Sequence, residues 1–302
     1  MEYSIYKLDF QTGVHFGTGM LNESAYTFQA DQLFSAMFIE ALKMQKEKEF
    51  LDMTQRGNLL FSDAFPYIGQ QYMVPKPMIY IEPQKKGQSE QKKAYKKLKF
   101  LPIEQLENFM NGMMDVSVDP LKEYGSFQQQ TMARVRTEED TLPFRVGTYF
   151  YNEDCGLYII LGYTEKEEKY LAEELLESLA YTGIGGKKST GLGKYILRSV
   201  KLPEILEQHL KKDANRNILL SVGLPQDKEL ENALEGASYQ LIKRSGFVSS
   251  DTYAEELRKK KDLYVFAAGS CFEYRFEGDI YDVSDNGSHP VYRYAKPLFM
   301  GV

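Results

Sequence analysis

Gly183-Ile184-Gly185-Gly186-Lys187-Lys188-Ser189-Thr190-Gly191-Leu192-Gly193-Lys194 decides how the chain is read. Five glycines among twelve positions let the backbone take positive φ and let another molecule come close. Successive backbone N–H groups in such a loop can hold an anion. Lys187, Lys188, Ser189 and Thr190 add side-chain donors to phosphate. The flanks narrow the choice. Upstream, residues 165–181 repeat apolar side chains at helical spacing, with Tyr170, Leu171, Leu175, Leu176 and Leu179 expected inward. Downstream, residues 193–202 read as a strand. A nucleotide P-loop needs Gly-x-x-x-x-Gly-Lys-Ser/Thr between a strand and a following helix. Here Tyr181 stands five positions before Gly186, Lys188 follows Lys187, and the helix comes first. A dinucleotide fingerprint needs a third glycine where Lys188 stands, and also a leading strand. Both patterns fail. A plain helix-to-strand turn explains one or two glycines, not five with four donors beside them. The loop reads as a grip on a phosphodiester backbone.

Further out, the elements alternate. Residues 2–11 read as a strand, with Tyr6, Leu8 and Phe10 on one face and Tyr3 and Ile5 on the other. Gly13, Gly17 and Gly19 interrupt it. Residues 31–48 read as a helix carrying Asp31 in its first turn, where negative charge is favoured. Leu33, Phe34, Met37, Phe38, Ala41, Leu42 and Met44 recur along it at helical spacing. Segments 58–68 and 71–81 look extended, and Pro75 and Pro77 argue against a central strand in the second. Residues 83–99 hold seven lysines against Glu90 and read as a flexible basic loop or a short exposed helix. A small helix is expected at 102–113, a polar loop-like stretch at 125–144, and strands at 144–151 and 156–163. With the insertion removed, the order approximates a split βαβ–βαβ, or ferredoxin-like, unit. The remainder reads as a second mixed unit: strand 217–224, helix 226–235, strand 237–243, helix 250–260 and short strands from Leu263. The boundary is expected in the polar stretch Leu202–Asn215. This gives an α+β chain with a first domain over 1–205, its insertion at about 83–145, and a second domain over 206–302.

Composition bounds the function. The 302 residues have an ordinary globular share of apolar and charged side chains and enough material for two domains. A formal net charge of −6 argues against indiscriminate coating of duplex nucleic acid, so any nucleic-acid site must be a local basic patch. Cys155 and Cys271 form no CxxC pair, which argues against a disulfide framework and a zinc ribbon. The opening MEYSIYKLDF lacks a signal-peptide pattern, and no apolar run is long enough to cross a membrane. The expected setting is a reducing cytoplasm, and no cofactor or metal is expected.

The loop, following the second helix of such a unit, resembles the signature of the RAMP proteins of CRISPR–Cas systems. Gly13-Val14-His15-Phe16-Gly17-Thr18-Gly19 is similar to their first-strand turn, and Phe28-Gln29-Ala30-Asp31-Gln32-Leu33-Phe34-Ser35-Ala36 to their first helix start. Lys243-Arg244-Ser245-Gly246-Phe247 and Val291-Tyr292-Arg293-Tyr294-Ala295-Lys296-Pro297-Leu298-Phe299 extend the likeness. The match spans essentially the whole chain and resembles most the fourth-subunit family of the type III-A (Csm) effector complex. The resemblance implies two ferredoxin-like (RRM-like) domains and a grip on the repeat-derived 5′ tag of the CRISPR RNA. It implies two protein partners, the large Cas subunit with HD and palm domains and a backbone RAMP subunit. It also implies a thumb-like β-hairpin, placed here at Tyr124–Phe144, and no RNA cleavage.

The candidate RNA-binding residues are therefore Gly185, Gly186, Lys187, Lys188, Ser189, Thr190, Gly191, Gly193 and Lys194 in the loop. His15 and Gly17 join them from the turn, Ser35 from the first helix, Arg134 and Arg136 from the thumb, and Arg244 from the second half. Each has a plainer alternative. His15 is an RNA contact or a packing histidine, while His209 and His289 read as packing or surface residues. Arg134 and Arg136 share a face of an extended segment, fit either to hold phosphate beside a Met132–Val135 wedge or to lie solvated. Lys243–Val248 shares part of an RRM aromatic motif, so Arg244 reads as an RNA contact or a strand-edge residue. The lysines of 85–99 read as solvated, with a secondary effect on RNA affinity. Glu138, Glu139 and Asp140 read as a surface turn, and Asp279, Asp282 and Asp285 as loop residues without the EF-hand pattern. The alternative function is a repeat-RNA-processing endoribonuclease with His15 as acid or base. A protein-interaction module with incidental anion binding is a third.

Overall fold

The computed structural model describes residues 1–81, 89–116, 119–134, 142–250 and 252–302. The first half runs β1 (Glu2–Phe10), α1 (Ala30–Lys43), α2 (Glu47–Gln55), β2 (Leu59–Phe61), β3 (Phe65–Ile68), β4 (Gln71–Pro75), α3 (Ser89–Lys97), β5 (Phe100–Pro102), α4 (Leu106–Met110), β6 (Gly125–Arg134), β7 (Leu142–Tyr151), β8 (Cys155–Tyr163), α5 (Lys166–Thr182) and β9 (Tyr195–Val200). The second runs α6 (Glu204–Lys211), β10 (Asn217–Leu219), α7 (Leu230–Leu234), β11 (Leu241–Arg244), β12 (Leu263–Phe266), β13 (Cys271–Phe272), β14 (Asp279–Asp282), β15 (Tyr292–Ala295) and β16 (Phe299–Gly301).

β1 lies inside an antiparallel sheet of order β5-β4-β3-β8-β1-β9, with β2 also on β8. Period-2 alternation sets its two faces. Tyr6 and Leu8 join a core with Leu157, Ile159 and the inner stripes of α1 and α5, while Ile5, Tyr158 and Ile160 face a second core. α1 opens with a capping box of Gln29 and Gln32 and buries Leu33, Phe34, Met37 and Ala41. α5 opens with a capping box of Glu165 and Glu168 and buries Leu171, Leu175, Leu176 and Leu179. Tyr170, expected inward, is 60% exposed, and Leu42 of the α1 pattern is also exposed. Both sit at the margin of their helix's apolar stripe. β4 is flanked on both sides despite Pro75. β3 pairs with Gln71 and Tyr72 and β5 with Met73–Pro75, so the proline falls at the strand's end, where a missing N–H costs least. α3 shows that the last part of the lysine-rich stretch is the short exposed helix.

The second half differs most from expectation. Its sheet is β13-β10-β16, with separate pairs β11–β12 and β14–β15. β10 and α7 are shorter than the segments expected at 217–224 and 226–235. No helix occupies the described part of 250–260. The Val248 N–H reaches the Arg258 carbonyl and the Lys260 N–H the Gly246 carbonyl, so tertiary pairing overrides local propensity there. Both cores run through both halves. Tyr294, Val222 and Ile280 pack with α1 and α5, while Ile218, Leu298 and Met300 pack on the opposite face of the main sheet with Leu206 and Leu210. Cys155 and Cys271 are free and buried.

Candidate nucleic-acid interface

The glycine-rich loop leaves α5 at Gly183 and docks on the turn after β1. The Gly186 N–H donates to the His15 carbonyl at 2.8 Å, and the Gly193 N–H to the Gly13 carbonyl at 2.9 Å. The Thr12 hydroxyl donates to the Gly191 carbonyl at 2.9 Å. Close approach explains two glycines directly. A Cβ at Gly186 would lie 2.6 Å from His15 Cδ2, and one at Gly193, at φ +80°, would collide with the Ile184 carbonyl oxygen. Lys187 is left-handed at φ 59° and starts a single 3-10 turn, Lys188–Thr190. Ser189 and Thr190 at its crest are exposed, as is Lys194 beyond it. The loop therefore has a packed base and a polar, cationic crest.

The hairpin joins the same place. β6 and β7 pair in register from Gly125↔Tyr151 to Arg134↔Leu142. The base of β7 lies along the 13–16 turn through the bridge Val14↔Tyr149. His15, 6% exposed, donates its Nδ1 hydrogen to the Gly147 carbonyl at 2.7 Å. That bond places a hydrogen on Nδ1 and fixes the ring orientation. The Lys187 ammonium sits 4.8 Å from the Phe144 ring centroid. Loop, turn and hairpin base thus form one continuous surface, and Gly17 is exposed beside it.

A family model described as "CRISPR Csm4 C-terminal domain" matches residues 212–302. CRISPR system Cms protein Csm4 of Mycobacterium tuberculosis (strain H37Rv) is 37% identical over 305 residues, covering 100% of this chain and 98% of the relative. The protein of the same name from Streptococcus thermophilus is 37% identical over 308 residues, covering 99% and 98%. The chain belongs to the Csm4 family. The fold agrees. Csm4 in a crystal structure of the Csm3-Csm4 subcomplex of the type III-A CRISPR-Cas interference complex matches with a TM-score of 0.67 at 18% identity, covering 99% of each chain. A Csm1-Csm4 cassette in complex with cA4 contains a match with a TM-score of 0.61 at 17% identity, covering 100% of this chain and 98% of that one.

In this Csm4-family chain the other nominated residues lie apart from the loop's hydrogen bonds. The Ser35 hydroxyl donates to the Asp31 carbonyl one turn back in α1. Arg244 is bound to Asp31, with Nε at 2.9 Å from Oδ2 and Nη2 at 2.8 Å from Oδ1, and Arg293 Nη1 reaches the same carboxylate at 2.6 Å. Burial alone would raise the Asp31 carboxyl, but the Arg244 and Arg293 guanidiniums outweigh it and hold the carboxyl below its ordinary value. Arg134 ends β6. Arg136 and the Glu138–Asp140 cluster lie outside the described residues. His209 is buried with Nδ1 on the Gly301 carbonyl. Asp282 Oδ1 accepts the Ser284 and Val291 N–H groups, a turn-capping role. Among the described residues no group of three acidic, His or Cys side chains could hold a metal ion, and no helix is long and apolar enough to cross a membrane. Sequence reading missed Thr12, Phe144 and Gly147. Thr12 carried a signal in its place beside Gly13 at a strand end, and Gly147 as an isolated glycine inside a strand, but their partners are distant in sequence.

Proposed function

We propose that the chain is a non-catalytic, RNA-holding subunit of a type III-A CRISPR effector complex in the cytoplasm. It grips the repeat-derived 5′ tag of the guide RNA, and docks the large Cas subunit and a backbone RAMP subunit. The observation that carries this reading is the convergence of the loop crest Lys187–Thr190, the His15 turn and the base of the β6–β7 hairpin. The exposed Ser189 hydroxyl and the half-buried Lys187 and Lys188 at the crest suit phosphate, and the hairpin is the thumb that interrupts the RNA with Arg134 and Arg136. Arg244 takes a structural role on Asp31. The solved relatives' assemblies with Csm3 and Csm1 support the two protein neighbours. Tag bases would be read as splayed single strands, since side chains cannot enter the deep groove of A-form RNA.

The strand order β9-β1-β8-β3, with α1 and α5 on one face, supports a ferredoxin-like first domain over 1–205. We read 206–302 as the second domain, the same plan in reduced form, and the family-model match to 212–302 supports that division. Lys187→Ala with Lys188→Ala tests the grip by fluorescence anisotropy on tag RNA. Affinity should fall, and the salt slope should flatten by about 1.4, two contacts at ~0.7 each for single strands. Unchanged affinity and slope would remove the loop's role. Site-specific cleavage of repeat RNA by the purified chain, lost in His15→Ala, would overturn the non-catalytic reading.

A further inference from the structure

At the N-terminal end of α1, between the two halves, lies a cleft of about 510 Å³. Its chemistry is mixed in an informative way. Phe65, Phe100 and Ile242 give it apolar walls, and Asp63 lines it from the β2–β3 link. Asp63 is 7% exposed. Its Oδ1 accepts the Ala30 N–H at 2.8 Å and the Val222 N–H at 3.0 Å, one donor from each half. Among the described residues no donor reaches its second oxygen. Burial pushes the carboxyl up to about 7, against the pull of the Ala30 N–H. Lys96 and Lys99 line the cleft and are exposed, and among the described residues neither is drawn into an ion pair. They are the end of the lysine-rich stretch that sequence reading left solvated. A volume of this size suits a small ligand, and an apolar cleft with a few convergent polar groups and a perturbed carboxyl marks a binding site.

We propose that this cleft holds one unstacked nucleotide of single-stranded RNA. Its base lies between the apolar walls with an exocyclic amino group on the free oxygen of Asp63, and its phosphate lies between Lys96 and Lys99. The proposal rests on the RNA-holding reading and extends it to a site separate from the glycine-rich loop. Three features favour a nucleotide over a partner's side chain. The cleft is apolar enough for a base, its rim is cationic in a chain of formal net charge −6, and its carboxylate has one acceptor left for one N–H donor. A cationic side chain of a protein partner would fit Asp63 but would be repelled by the lysines.

The test titrates the full chain with CMP, AMP, UMP and ribose 5-phosphate above pH 7, where the Asp63 carboxyl is ionised, read by saturation-transfer NMR and calorimetry. CMP and AMP, which carry an amino group, should bind about tenfold tighter than UMP or ribose 5-phosphate, the discrimination of one good base contact. Lys96→Ala with Lys99→Ala should weaken every nucleotide. Asp63→Asn keeps the acceptor for Ala30 and Val222 but turns a donor into the cleft, so UMP should overtake CMP. Gln240→Trp, at an exposed position lining the cleft, should abolish the preference for CMP and AMP and keeps the test open should Asp63→Asn fail to fold. A phosphate grip at the glycine-rich loop would hold all four probes alike, whereas the cleft is read by the preference for CMP and AMP over ribose 5-phosphate, so failure here and failure of the loop's role give different results. No nucleotide binding, equal binding of CMP and ribose 5-phosphate, or an unchanged order in Asp63→Asn would overturn the proposal. The last two would point to a bare anion site or a protein contact.

Discussion

Asp31 stands in the first turn of α1 with 1% side-chain exposure and two guanidiniums on its carboxylate. Both arginines come from the second half, so this one side chain ties the halves together. Arg293 Nε is buried and, among the described residues, has no partner, so the cluster is already short of acceptors. Asp31→Asn should therefore destabilise the chain by about 3–5 kcal/mol, because it leaves the buried Arg293 and the half-buried Arg244 without their shared carboxylate. Urea unfolding at neutral pH measures it, and a loss under about 1 kcal/mol would show that water already screens the cluster. Legibility at this scale was uneven. The loop's glycines and lysines were readable as a motif because their types cluster in sequence, whereas His15 was open between RNA contact and packing residue, and the structure buries it against Gly147. Arg244 was nominated for RNA because its partner lies 213 positions away, and no local pattern announces an ion pair of that separation. The glycines were legible as a motif but only half as a cause. The need for backbone freedom was readable from the loop alone, whereas the packing of Gly186 on His15 needs the turn it docks on.

Among the elements, β6 was the hardest to see. Nearly all its described side chains are exposed or half-exposed, so it lacks the alternation that marks a half-buried strand. Its polar run Ser126–Thr131 reads as loop until β7 is laid beside it, and only the family resemblance placed a hairpin there. α1 and α5 were legible because each buries one clean apolar stripe, and β1 because its alternating apolar residues fill both of its faces. α2 and the pairing of β4 were not, since their signals are short and their partners remote. The hairpin's seat makes its own prediction. A Cβ at Gly147 would lie 2.6 Å from the Glu23 backbone, and the Gly147 carbonyl holds His15. Gly147→Ala should shift the hairpin base off the turn and lower tag-RNA affinity several-fold, while the main core keeps its melting temperature. Anisotropy and calorimetry on the same preparation check both halves of that statement. A melting temperature that falls in step with affinity would show that the hairpin is part of the core.

On the scale of the whole molecule, two cores that each draw on both halves predict one cooperative unfolding transition. Asp63 adds a pH signature to it. Its carboxyl is raised to about 7 in the folded chain, against about 3.9 when unfolded. Between those values the folded state holds the extra proton, so this group makes stability fall as pH rises from about 4 to 7. The slope is at most about 1.4 kcal/mol per pH unit. Asp31 acts in the opposite sense at lower pH. Its contribution is present above its unfolded value and lost as pH falls through its lowered folded one. Denaturant titrations from pH 4 to 8 should show the Asp63 slope in the wild type and its loss in Asp63→Asn. Equal slopes would mean that the carboxyl is ionised throughout.

The shared cores also govern when the protein can become itself. β15 and β16 supply Tyr294 and Met300, one to each core, and both strands lie far along the chain from the β1–β8–β9 sheet they cover. A ribosome that has just finished β9 therefore displays a sheet with both faces partly bare, including Ile5, Tyr158 and Ile160. The emerging protein must wait, apolar side chains uncovered, until its last strands have left the exit tunnel. Its demand on holding chaperones is thus written into the topology and grows with slow translation of the second half.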